Sequence, residues 1–448
     1  MMKKKLCGFI IAGLLIATQA VATPLDLWQA WQLAQQHDPI YAAQRAQTQA
    51  SQEQIAQARA RLLPAVDAVA GITHNDTRRA SRLNQSSDTR VNQWQLRLSQ
   101  PLFDLSAIAQ FERSRYLASI AVFDLENAKH ELMLRVAQTY FAILSAQDNL
   151  RSLQSQKQAI EQQLAAAQQN FALGGATITD TYEAQSRLDL LNAQLVIAEN
   201  TLTTEKNQLS RILGRPVQHI APLHHQATLP TPEPLDPHAW VQQASLGNLS
   251  LMRASLAMQA QQYQLKADQH EHAPTVTLQA RSGSQSNMGV SGPNTSPRSL
   301  DSSIGVELSI PLYQGGAIAS RVRENASLLQ QKHYEQENAR RQAEEQVRSY
   351  FSGVLAGLHE VKALEAAEKS SRAAWEANQT AYEIGVRINI DVLNAQQQLY
   401  ETQRALAQAR YNTLLQGLRL KQAAGLLRAE DIAALNTLLA PANPSLMQ

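Results

Sequence analysis

Cysteine, aromatic side chains and net charge are all scarce in this sequence. Its 448 residues include one cysteine, 5% aromatic and 17% charged residues. The lone Cys7 sits early in an apolar N-terminal run, so the rest of the chain has no thiol, which excludes disulfides, zinc-thiolate sites and cysteine nucleophiles together. With aromatics rare and Ala and Gln recurring throughout, the composition favours long helices with shallow packing surfaces over a thick globular core, and no deep substrate pocket is expected. Charge is equally sparse. Setting aside Lys3, Lys4 and Lys5 leaves 37 basic against 38 acidic residues, which offers nucleic acid no electrostatic footprint. Beyond the N-terminal run no stretch of 18 apolar residues remains, so no transmembrane helix is expected.

That run has its own meaning. Three lysines, an apolar stretch from Leu6 to Ala17 and the small residues Ala20, Val21 and Ala22 predict an export signal peptide over residues 1–22. Past it, the chain matches itself. At an offset of 210 residues Asp26 falls on Asp236, Pro64 on Pro274, Pro101 on Pro311 and Phe103 on Tyr313. At 211, Phe171 meets Tyr382, Gly174 meets Gly385, Asp180 meets Asp391 and Gly214 meets Gly425. The sequence is a tandem duplication, with repeats over 23–213 and 237–426 and a connector over 214–236. The stretch from Gly214 to Pro237 holds six of the sixteen prolines and is expected to be extended. The weakly periodic tail over 427–448 is read as partly disordered.

Within each repeat the period of the apolar residues changes. A first helix is expected from Asp26 to Leu62, stopped by Pro64. Then Val276, Leu278 and Ala280 alternate with polar residues, as do Ile304, Val306, Leu308 and Ile310, and in the first repeat Trp94, Leu96 and Leu98. Period two with one polar face predicts strands near 64–75, 91–103, 274–285 and 301–313, enclosing polar loops over 76–90 and 286–299. After Pro101 and Pro311 a helical spacing returns and runs to Phe171 and Tyr382, predicting long helices over about 105–171 and 316–382. Each would be roughly 100 Å long at about 1.5 Å per residue, which no compact domain requires.

Four strands of membrane-crossing length in an exported chain without a spanning helix point to an outer-membrane barrel. Four strands cannot close one, because a spanning sheet must leave no edge. Several chains must contribute, and the polar strand faces favour a trimer, whose lumen would be water-filled.

The stretches Ala60-Arg61-Leu62-Leu63-Pro64, Ser99-Gln100-Pro101-Leu102-Phe103-Asp104 and Pro311-Leu312-Tyr313-Gln314-Gly315-Gly316, with Ile178-Thr179-Asp180, Asp391-Val392-Leu393-Asn394-Ala395 and Ala405 to Gly425, carry a resemblance. In order and duplicated, they are similar to the TolC family of outer-membrane efflux and type I secretion channels, over nearly the whole chain past the leader. The resemblance implies a mixed α and β fold: a trimeric, twelve-stranded outer-membrane β-barrel continued by a long periplasmic α-helical barrel. It implies a homotrimer in outer-membrane lipid, docked through a periplasmic adaptor (membrane fusion) protein to an inner-membrane pump of ABC, RND or MFS type.

It also implies site residues. Thr179, Asp180, Tyr382 and Arg387 match a gate network that holds the inner hairpin closed, with Arg387 donating to the Asp180 carboxylate. Asp391 matches a pore-facing carboxylate ring, whereas the next family aspartate is here Asn394, so the second ring of the constriction would be neutral. Leu173, Gly174, Gly175, Ile384, Gly385 and Val386, in the two helical turns, are the expected adaptor-docking residues. Read from local chemistry alone, Asp180 and Asp391 are helix N-caps, Glu183 completes a capping box to Asp180, and the glycines end the preceding helices.

His224-His225 and His270-Glu271-His272 lack zincin spacing, so no metal site is assigned. Without G-x-S-x-G, a phosphate loop or a paired-carboxylate cleft, the chain is read as a non-enzyme with no cofactor. The alternative readings are a periplasmic adaptor, expected to have one hairpin and no duplicated membrane strands, and a structural coiled-coil protein of an envelope complex. The sequence does not specify the cargo.

Overall fold

The computed structural model describes residues 24–79, 85–175, 177–224, 227–288 and 298–440. The expected export signal lies outside these residues, as do residues 80–84 and 289–297 of the two strand loops and 441–448 of the tail. In chain order the first repeat gives α1 (Leu27–His37), α2 (Pro39–Ala60), β1 (Ala65–Arg79), β2 (Gln85–Phe103), α3 (Leu105–Ala172) and α4 (Ile178–Leu213). The second gives α5 (Pro237–Gly247), α6 (Leu249–His270), β3 (Thr275–Met288), β4 (Arg298–Ser309), α7 (Ala317–Glu383) and α8 (Asn389–Ala423), and α9 (Ala429–Asn436) follows.

The single helix expected from Asp26 to Leu62 is two helices. Asp38 takes extended backbone, its carboxylate accepts the Tyr41 N–H at 2.8 Å, and Pro39 enters where a helix needs no N–H. The second repeat breaks at the same place, with Asn248 accepting from Leu251 N–H at 3.0 Å. The described part of the tail, up to residue 440, holds a helix. α9 buries Ile432 fully, and Lys421 of α8 reaches Asp431 at 2.5 Å.

The four strands form one antiparallel sheet in the order β1-β2-β3-β4. All four strands run into the stretches expected as loops, and β4 stops at Ser309 instead of 313 because Pro311 has no N–H to give a ladder. Pro101 is tolerated inside β2 at a shift of register against β3. The register separates two faces. Val66, Leu98, Ala280 and Ile304 lie in one row across the sheet, and Ala68, Leu96, Ser282 and Ser302 in another. Between them runs Asp67, Arg97, Arg281 and Ser303, on the opposite face. On that polar face Arg281 donates to Ser303 Oγ at 2.8 Å and Gln279 to Glu307 at 2.7 Å. On the apolar face Val66, Leu96, Ile304, Val306 and Leu308 are all exposed. Among the described residues, no helix is long and apolar enough to cross a membrane.

The main core lies away from the sheet, where α1, α3, α4, α8, α9 and the connector meet. Tyr140 and Phe141 of α3 are buried there edge to face, and Phe141 stacks on Tyr411 of α8 at 5.7 Å. The Tyr140 hydroxyl lies 3.0 Å from Leu25 O and 2.8 Å from Ala221 O, where the start of the first repeat pairs with the connector. Burial pushes the pKa of this phenol up, so it remains a donor.

Each repeat also closes its last long helix on its first short one. Gly214 (φ +68°) ends α4 beside His37, and Gly425 (φ +72°) follows α8 against Gly247. A Cβ would stand 3.3 Å from His37 Cβ in the first case and 2.0 Å from Gly247 O in the second. Gly425→Ala therefore adds a backbone collision to the left-handed penalty of about 1 kcal/mol that both substitutions incur. It should lower the thermal midpoint of the helical signal clearly more than Gly214→Ala does.

His130 on α3 is 4% exposed, its Nδ1 has no partner, and burial outweighs the Glu126 and Asp431 carboxylates to hold its pKa below 6.5. The native state thus favours the neutral ring, while an unfolded histidine titrates at about 6.5. The stabilisation is full above that value and is lost as pH falls below it toward the depressed native pKa. Melting temperature should drop between about pH 7 and about pH 5, and His130→Gln should flatten that part of the profile.

Candidate functional site at the hairpin tips

α3 with α4 and α7 with α8 form two hairpins, and their turns are built alike. After Leu173, Gly174 takes φ +77°, and the N–H groups of Gly174 and Gly175 donate to Phe171 O at 3.0 Å and Asn170 O at 2.8 Å. After Ile384, Gly385 has the same φ of +77°, with Gly385 and Val386 donating to Tyr382 O at 3.0 Å and Ala381 O at 2.8 Å. No atom within 4 Å would meet a Cβ on Gly174 or Gly385, so backbone conformation requires glycine there, not crowding within the chain. The tips present apolar surface: Leu173 is 77% exposed, and Ile384 and Val386 are each 71% exposed.

Both expected N-cap assignments shift by three residues. The cap of α4 is Thr177, whose N–H and hydroxyl donate to Asp180 Oδ2 at 2.9 and 2.8 Å while its Oγ1 accepts from Asp180 N. Asp180 is the returning partner of that capping box, a place expected for Glu183. The cap of α8 is Ile388, which has no side-chain acceptor, and Asp391 sits in the first helical turn, where a carboxylate suits the positive end of the helix.

Within the chain Arg387 does not bond to Asp180. Its Nη1 lies 3.4 Å from Asp391 Oδ2, four residues along the same turn, while Asp180 is committed to the cap of the other hairpin. Thr179 is exposed at the second position of α4. Tyr382 does reach the other hairpin, its hydroxyl 3.5 Å from Asn170 Nδ2.

Asn394, expected as a neutral ring position, has a charged partner within the chain. Its Oδ1 accepts from Arg187 Nη2 of α4 at 2.7 Å, and Arg187 Nη1 donates to Gln397 at 3.1 Å. One turn nearer the tip, Gln163 of α3 donates to Asn389, which is 3% exposed. Alongside, Leu393 packs among Leu153, Ile160, Leu191, Leu195 and Ala198. Gln163, Arg187, Asn389 and Gln397 were not singled out by the sequence.

In the second histidine cluster two side chains have partners within the chain. His270 Nδ1 lies 3.2 Å from Leu105 O, and Glu271 pairs with Arg321 at 2.5 Å. His225 lies outside the described residues.

Comparison with known proteins joins the fold to a family. The profile of the outer membrane efflux protein family matches twice, over residues 30–215 and 240–426. The outer membrane protein TolC of Vibrio cholerae is 30% identical over 436 residues, covering 97% of this chain and 98% of that protein. The alkaline protease secretion protein AprF of Pseudomonas aeruginosa is 27% identical, with coverage of 96% and 91%. Among solved structures, the CmeC outer membrane channel of Campylobacter jejuni superposes with a TM-score of 0.77 at 16% identity, covering 92% of this chain and 90% of that one. With the family matched across both repeats and a relative this similar over nearly its whole length, the chain belongs to the outer membrane efflux protein family and resides in the outer membrane.

Proposed function

We propose that this outer-membrane exit duct for efflux and secretion works as a homotrimer whose periplasmic entrance lies at the hairpin tips. The observation that carries the reading is the four-stranded sheet, apolar on one exposed face and unpaired along β1 and β4. Three copies supply twelve strands, enough to close a barrel around a water-filled lumen lined by the Asp67, Arg97 and Arg281 face. The helices then continue the duct into the periplasm.

Leu173, Gly174, Gly175, Ile384, Gly385 and Val386 form the surface that receives a periplasmic adaptor and, through it, an inner-membrane ABC, RND or MFS-type pump. Their exposed apolar side chains on left-handed turns support this. An adaptor as the chain's own role fits less well, because the molecule has two hairpins and a sheet with an apolar face. AprF is a protease secretion protein, which supports a protein cargo beside small efflux substrates.

Asp180 and Arg387, which do not meet within the chain, act between neighbouring copies together with Thr179 and Tyr382. The 3.4 Å bond of Arg387 to Asp391 is long and half-exposed, leaving the guanidinium free to take a second acceptor. Arg387→Ser should raise the conductance of the channel reconstituted in planar bilayers. Unchanged conductance would reduce Arg387 to a surface partner of Asp391.

Asp391 supplies the carboxylate ring at the constriction. Three copies facing one narrow lumen repel one another, and a bound cation relieves that repulsion. Asp391→Ala should therefore lower cation preference and weaken block by a trivalent hexa-ammine cation, both read from single channels. Equal block in wild type and variant would place Asp391 outside the pore.

A further inference from the structure

Arg187 is a guanidinium whose hydrogen bonds go to neutral groups. Its two terminal nitrogens reach the amide oxygens of Asn394 at 2.7 Å and Gln397 at 3.1 Å, on successive turns along one side of α8. No carboxylate lies within 4.0 Å of it among the described residues. An arginine with five donors held on two amides joins the second arm of one hairpin to the second arm of the other, close to their tips. Around it the two hairpins are otherwise joined by uncharged contacts: Gln163 to Asn389, the long Asn170 to Tyr382 pair, and Leu393 among the leucines of α3 and α4. The charged pair expected to close the entrance, Asp180 with Arg387, does not form within the chain.

We propose that Arg187, with Asn394 and Gln397, is the intrachain latch that positions the second hairpin against the first at the duct entrance. This rests on the reading of the hairpin tips as that entrance. Arg187 is a positioning residue, acting on the pore through α8. Swinging α8 away from α4 breaks both of its bonds together, since one planar group makes them. The assignment also gives Asn394 a role other than that of a neutralised ring position: it supplies an acceptor to a cation that stays paired. A carboxylate at 394 would be met by that same cation at the closer distance of 2.7 Å, against 3.4 Å for Arg387 and Asp391, so its charge would be offset more than that of Asp391 while Arg187 is in place.

The test uses the full-length protein in planar bilayers, with the helical signal in detergent confirming that each variant is folded. Arg187→Met keeps the aliphatic stem and loses both donations. It should raise open probability about fivefold, the share expected of two hydrogen bonds to a partly exposed guanidinium. Asn394→Leu should do part of the same, and the double variant should open little more than Arg187→Met alone, because the two changes remove one interaction. Asn394→Asp should lower spontaneous opening through a charge-assisted bond.

The latch also makes a prediction that a merely structural role does not. Asn394→Asp should leave block by the hexa-ammine cation nearly unchanged, whereas Asn394→Asp combined with Arg187→Met should tighten it severalfold, the carboxylate now being free. Arg187→Met with wild-type open probability would overturn the latch, as would equal tightening by Asn394→Asp with and without Arg187. If Arg187→Met is silent while Asp391→Ala still shifts selectivity, the latch alone fails. If neither changes the channel, the entrance reading fails with it.

Discussion

A β-sheet with two unpaired edges cannot lie in hydrocarbon, and that constraint organises the rest of this molecule. Each free N–H and C=O along β1 and β4 would cost several kcal/mol without water, far more than exposed apolar side chains recover. Among the described residues no other segment forms a strand able to pair those edges. In the proposed trimer, closure comes from further copies. Once copies are arranged around an axis, the helices leaving the sheet are arranged around it too, and a barrel of strands becomes a duct of helices without any additional instruction. The lack of a thick core follows from the same geometry, because a hollow wall has one layer to pack and small residues such as Ala107, Ala109, Ala118 and Ala121 suffice where helices cross.

The duplication decides where function is concentrated. Two hairpins end in turns with matching left-handed glycines, yet the turns are not equivalent. The first carries a complete capping box at Thr177 and Asp180, and its turn is satisfied locally. The second starts α8 without a side-chain cap, leaving Asp391 to Arg387 and the remainder of the helix start to Gln163 and Arg187 from the first hairpin. The less self-sufficient hairpin depends on its neighbour, which is what the proposed gating role requires of it.

Much of this was legible in the sequence. The alternation of Ile304, Val306 and Leu308 marked strands because a sheet with one wet face must repeat every second residue. The offset of 210 to 211 residues marked the repeats, and Gly174 and Gly385 marked the turns. The errors have local causes. Asp38-Pro39 is a helix start signal, overlooked inside a longer apolar pattern that crosses it. Aspartate prefers the cap, so Asp180 and Asp391 are expected there, but Thr177 competes for the same place before Asp180, and Asp at the third position serves the box equally well. Arg187 was out of reach, since its partners lie more than 200 residues away and only the facing of α4 on α8 brings them together.

The central claim is closure of the sheet by other copies, and edge crosslinking tests it most directly. Past the expected leader the chain has no cysteine, so paired cysteines introduced along β1 and β4 report on those edges alone. Oxidation in the membrane should link β1 of one copy to β4 of the next and yield a covalent species of three times the chain mass at positions in register. Oxidised product found only at the mass of a single chain, at every pair tried, would contradict it.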